Sequence, residues 1–164
     1  MKKGFSLIEL IVSLAIISFL ILVLSNIFSL NINILNKSYK EENEYKEAYT
    51  AMAYMDATIR RSHKILMDMT RDSNFKGYIY RRDRENNKVY ESLYYFYAEN
   101  GYLYIHSSNL NKMSKGKKNI ISTCQSVNLD YDEDKKVIII KLVSKYGTYT
   151  FESAIYVGDK HEKR

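Results

Sequence analysis

The chain has 164 residues, 25 of them basic and 19 acidic, for a net charge of +6. Setting aside Lys2 and Lys3 leaves 23 basic against 19 acidic residues, or +4, too little for a dedicated nucleic-acid binder. A lone cysteine, Cys124, excludes an intrachain disulfide, and the three histidines, His63, His106 and His161, show no metal-ligand spacing.

Residues 4–24, GFSLIELIVSLAIISFLILVL, follow Met1-Lys2-Lys3 and carry one charge, Glu9; the next charged residue is Lys37. About 20 apolar residues in a helix are enough to cross the hydrocarbon core of a bilayer. Lys2 and Lys3 place the start of this span on the cytoplasmic side. A carboxylate inside such a run costs on the order of a few kcal/mol at mid-bilayer and less near an interface. Glu9 therefore reads as a functional group that needs a partner. A secretory signal peptide fits poorly, because the run is long, Glu9 interrupts it and no small-residue cleavage site follows.

Gly4, Phe5 and Glu9 carry a family resemblance. Met-Lys-Lys-Gly followed by Phe5-Ser6-Leu7-Ile8-Glu9 resembles the processing signature of type IV pilins and type II secretion pseudopilins. The resemblance implies cleavage between Gly4 and Phe5 by prepilin peptidase, N-methylation of Phe5, and Glu9 as the fifth mature residue. Physically, cleavage leaves an ammonium at Phe5, and that cation and the Glu9 carboxylate are each costly alone in lipid and less so as a pair. Helix geometry tilts the Glu9 side chain towards the N-terminus, where a staggered neighbouring helix could offer its own ammonium. Such head-to-tail contacts do not close and so build filaments. A self-neutralised pair within one chain is the competing reading. Ser6, Glu9 and Ser13 share a helical face, and such serines either admit a neighbouring helix or bond back to their own backbone.

No Gly or Pro interrupts the sequence from Phe5 to about His63, so one helix is expected throughout. Its second half should pack a stripe of Leu35, Tyr39, Met52, Met55 and Ile59 on the following domain, with Tyr45, Tyr49 and Ala53 beside it. Lys40, Glu41, Glu42, Glu44, Lys46 and Glu47 should face water or neighbours.

After Ile65 the pattern alternates. Leu93–Tyr97 and Tyr102–His106, joined by Ala98-Glu99-Asn100-Gly101, read as a hairpin. Val127, Leu129 and Tyr131 alternate with polar residues ahead of a turn at Asp132-Glu133-Asp134. Val137–Val143 is the strongest strand, and Lys145-Tyr146-Gly147 turns it into Thr148–Val157. Short strands are expected near Tyr78–Tyr80 and Val89–Tyr90, with loops over Arg81–Lys88 and Asn109–Asn119. Cys124 reads as a small buried hydrophobe.

The expected class is α+β and pilin-like: a long N-terminal helix, half membrane and half amphipathic, packed on a small antiparallel β-sheet. Its divisions are a leader (1–4), a transmembrane and assembly helix (5–28), an amphipathic continuation (29–64), a β-rich domain (65–157) and a tail (158–164). The pattern from Asn119 to Val157 resembles W-type minor pilins, J-type minor pseudopilins and competence pilins. That resemblance implies a minor subunit that primes the filament tip, with other pilin subunits, prepilin peptidase and a cytoplasmic-membrane assembly platform as partners. It also implies a single-pass membrane protein with a cytoplasmic N-terminus, later part of a surface or periplasmic filament. The alternatives are a membrane-anchored extracytoplasmic binding domain and a DNA-contacting competence pilin.

For DNA, the candidates are two basic clusters, Arg81, Arg82 and Arg84, and Lys112, Lys115, Lys117 and Lys118, beside tyrosines that could stack on bases. Solvated loops balanced by Asp83, Glu85 and Glu91 are the simpler reading. Asp132, Glu133 and Asp134 offer oxygen ligands for Ca²⁺, although carboxylates in a tight turn are ordinarily just solvated. No glycine-rich phosphate loop or recognisable triad is present, so no catalytic, cofactor or metal residue is expected.

Overall fold

A computed structural model of the chain describes residues 6–67, 75–82, 87–110 and 116–158. Helix α1 runs Leu7–Arg60, a continuous 54-residue element matching the uninterrupted stretch in the sequence. It ends where Ser62 N–H bonds to Ile59 O at 3.0 Å and the next donor, His63 N–H, leaves the helix for Tyr78 O at 3.1 Å. The chain divides into two compact units, 1–42 and 43–164.

In the first unit every described residue of α1 is exposed, the apolar ones included. Leu35 and Tyr39, expected in the packing stripe, are each 67% exposed and belong to this unit.

In the second unit the buried helical face is Glu44, Ala48, Ala51, Met52, Met55, Thr58 and Ile59. Met52, Met55 and Ile59 are where the sequence placed them. Tyr45, Tyr49 and Ala53, placed beside that stripe, are exposed. Ala48 and Ala51, both fully buried, bring the backbone close to the core, while Tyr45 packs at the margin against Tyr149 and Phe151 at 5.4 and 5.3 Å.

Among the described residues eight strands follow, all antiparallel to their neighbours and divided between two sheets. Lys64–Met67 (β1), Phe75–Arg82 (β2), Val89–Glu99 (β3), Tyr102–Asn109 (β4) and Lys117–Thr123 (β5) form a five-stranded sheet in that order. Ser126–Asp132 (β6), Val137–Val143 (β7) and Thr150–Tyr156 (β8) form a three-stranded sheet. The β3–β4 hairpin closes through Asn100 and Gly101 alone, with φ of 52° and 78°, as a type I′ turn requires. The three-strand meander lies where the alternation placed it. Strand β5 was expected to be partly loop: its first three residues, Lys117, Lys118 and Asn119, are polar and exposed, the composition of a charged edge strand.

One core gathers the helix face, Phe75, Tyr94, Phe96, Leu103 and Ile105 of the larger sheet, and Ile138, Ile140, Leu142 and Ile155 of the smaller. Burial of each such side chain contributes roughly 1.5–3 kcal/mol. Cys124 is fully buried among them. The α+β, pilin-like class is the one observed.

Candidate functional site

Ser6 is the last residue before α1, and Glu9 occupies its first turn. The Ser6 backbone N–H donates to Glu9 Oε2 at 3.0 Å. This is the reaching-back half of a Ser-x-x-Glu capping box, satisfying a donor that the helix leaves open. The sequence reading had the direction of the Glu9 side chain but missed this partner, although Ser6-Leu7-Ile8-Glu9 spells the box. Ser13 Oγ donates to Glu9 O at 2.7 Å and Ser18 Oγ to Leu14 O at 2.8 Å, so both serines bond back to their own helix. Gly4 and Phe5 lie outside the described residues.

Beyond Glu9, α1 contains a stretch long and apolar enough to cross a membrane by length and composition, none of it buried. Leu7, Phe19, Phe28 and Leu30 are each more than 60% exposed, so this surface has no covering within the described chain. Residues 1–25 match the family model described as the prokaryotic N-terminal methylation motif. The segment is a type IV pilin-type prepilin signal. No curated protein and no solved structure matches the chain. The prepilin signal supports a pilin or pseudopilin subunit that prepilin peptidase processes and that assembles with other pilin subunits. With the apolar helix it fits a membrane-anchored pilin that later enters a surface filament, and it points to a structural subunit instead of an enzyme.

Each basic cluster is split between the two faces of the larger sheet. Arg81 and Arg82 end β2 and Lys117 and Lys118 begin β5, and alternation sends neighbours to opposite faces. Lys118 is held by the Glu99 carboxylate and lies 3.9 Å from the Tyr104 ring centroid. Glu91 binds His63 Nε2 at 2.8 Å, and His63 stacks on Tyr80 at 3.9 Å. His106 stacks on Tyr95 at 4.8 Å. Arg84, Lys112, Lys115, Asp83, Glu85 and His161 lie outside the described residues.

At the acidic turn, Asp132 accepts from Lys135 N–H at 3.1 Å and Lys135 Nζ lies 3.2 Å away; the backbone hydrogen bond leads in holding its carboxyl below the ordinary range. Among the described residues no group of three or more His, Cys, Asp or Glu could hold a metal ion.

Glu44 departs most from expectation. Read as facing water or neighbours, it is only 8% exposed. Its carboxylate accepts from the Ser144 hydroxyl and from Tyr146 N–H at 3.0 Å, inside the loop that joins β7 to β8. Burial works to raise its pKa, but hydrogen bonds from Ser144, Tyr146 and Thr148 outweigh it and hold the group below its ordinary value. The acid is buried because a loop 100 residues away supplies its donors.

Proposed function

We propose that this chain is a minor pilin or pseudopilin, cut between Gly4 and Phe5, N-methylated on Phe5, and built into the tip of a type IV pilus or a related secretion or competence pseudopilus. The observation that carries the reading is a prepilin signal running directly into an exposed apolar helix, followed by a β-rich unit. In this reading residues 5–28 span the membrane, the N-terminus starts in the cytoplasm, and an assembly platform in the cytoplasmic membrane lifts the processed subunit into the filament. Glu9 sets the stagger between neighbours. Its carboxylate rests on the Ser6 amide of its own chain, and the ammonium of an adjacent Phe5 offers a charged donor in place of a neutral one.

N-terminal mass analysis of the protein recovered from cells that carry prepilin peptidase tests this. Methylated Phe5 as the first residue is the expected result, and Gly4→Ala should abolish it. A chain that keeps Met1 to Gly4 would instead be a tethered extracytoplasmic domain.

A further inference from the structure

The inner face of the five-stranded sheet changes character along its length. At one end it supplies Phe75, Tyr94, Phe96, Leu103 and Ile105 to the core. Further along the same strands, the same alternation brings Arg81 of β2, Tyr90 and Ser92 of β3, Ser107 of β4 and Lys117 of β5 to that face. The register spreads them over three successive rungs: Arg81 opposite Tyr90, Ser92 opposite Asn109, and Ser107 opposite Lys117. Together they line a cavity of about 320 Å³.

Its lining is one-sided in charge. Two cations face it, and among the described residues no carboxylate lines it. Arg81 and Lys117 form no ion pair within the described chain, and Glu91, between Tyr90 and Ser92 on β3, is engaged with His63. Ser92 is only 3% exposed and its hydroxyl donates to Ser108 O at 3.1 Å. The guanidinium, the ammonium and the hydroxyls of Tyr90 and Ser107 are then donors available to an occupant. A guanidinium fork and an ammonium lining one cavity suit a tetrahedral oxyanion of two negative charges, with more acceptor oxygens than one carboxylate presents. A phosphate monoester carries about −1.5 to −2 at neutral pH. The cavity is larger than one phosphate needs, a water's share of liquid volume being about 30 Å³.

We infer that the inner-face cavity between Arg81 and Lys117 binds a phosphate dianion, free or as the terminal phosphate of a small polyol. This site is independent of the prepilin signal and of filament assembly.

The test is calorimetric titration of the full chain in uncharged detergent micelles with inorganic phosphate and with glycerol phosphate. Saturable one-to-one binding of at least one probe is expected. Arg81→Gln and Lys117→Gln should each weaken it at least tenfold, while Lys141→Gln, an exposed lysine elsewhere, leaves it unchanged. Tighter binding of glycerol phosphate identifies a carried phosphate, and equal or tighter binding of inorganic phosphate the free ion. Thermal unfolding without ligand shows whether each variant is folded, and either variant alone is sufficient. Absence of saturable binding, or binding that survives in both folded variants, overturns the site. So does an oligonucleotide lacking a terminal phosphate that binds as tightly as its phosphorylated form, since that marks a phosphodiester groove.

Discussion

Tyr94 and Gly77 face each other across the β2–β3 ladder, and the Tyr94 ring fills the space that any side chain at position 77 would need. A Cβ on Gly77 would lie 2.3 Å from the ring's Cζ. The ring cannot swing aside: it is fully buried, and its hydroxyl bonds to Ser62 and, at 3.2 Å, to Thr58 O. Gly77→Ala should therefore destabilise the fold by about 1–3 kcal/mol, the usual cost of overpacking. Thermal unfolding checks this, and in a Tyr94→Leu background the added cost of the alanine should shrink.

Glu44 predicts a pH dependence. Its folded pKa lies below the ordinary 4.5, so the stabilisation it gives is complete above the unfolded value and is lost as pH falls through the folded one. Wild type should lose stability below about pH 4.5 more steeply than Glu44→Gln, which carries no charge at any pH. At pH 7 the variant should be less stable by roughly 1–3 kcal/mol, the scale of hydrogen bonds to a charged group. Denaturant unfolding from pH 3 to 7 reads both effects; parallel curves would show that the loop does not depend on the ionised acid.

At Glu9, cap and charge can be separated. Glutamine keeps an oxygen for the Ser6 N–H and loses the charge, whereas alanine loses both. Helix content should fall only for Glu9→Ala, with a cost of roughly 0.3–1.5 kcal/mol for the lost cap. Incorporation into sheared filaments, followed by immunoblot, should fall for both. Wild-type incorporation of Glu9→Gln would mean that the cap, and not the charge, is what assembly requires.

Cys124 should be inert in the native protein. Burial pushes its thiol from 9.0 up to about 11, which cuts the thiolate fraction near neutral pH roughly 100-fold before steric exclusion is counted. Maleimide labelling at pH 8 should be slow until denaturant is added and then rapid. Fast labelling of folded protein would contradict the burial.

Much of the architecture was legible in the residues because its signals are local. The unbroken helix, the Asn100-Gly101 turn and the alternating Val137–Val143 strand each announce themselves within a few positions. What stayed hidden depends on partners distant in sequence. The packing stripe took in Leu35 and Tyr39, which are exposed, and left out Ala48 and Ala51, which close approach to the core needed. Glu44 looks like any other acid in a charged stretch until a remote loop brings it donors. Arg81 and Lys117 were grouped with Arg82 and Lys118 by proximity in sequence, but period-two alternation separates each pair across the sheet. Strands β1 and β5 escaped notice because edge strands are short or charged.

In both sheets the spatial order of strands is their order along the chain. Each new strand finds its partner already present beside it, so neither sheet has to wait for a distant segment before pairing begins. Contacts of this local kind form quickly. The Glu44–Ser144 contact, by contrast, joins α1 to a loop 100 residues away and depends on the smaller sheet being in place.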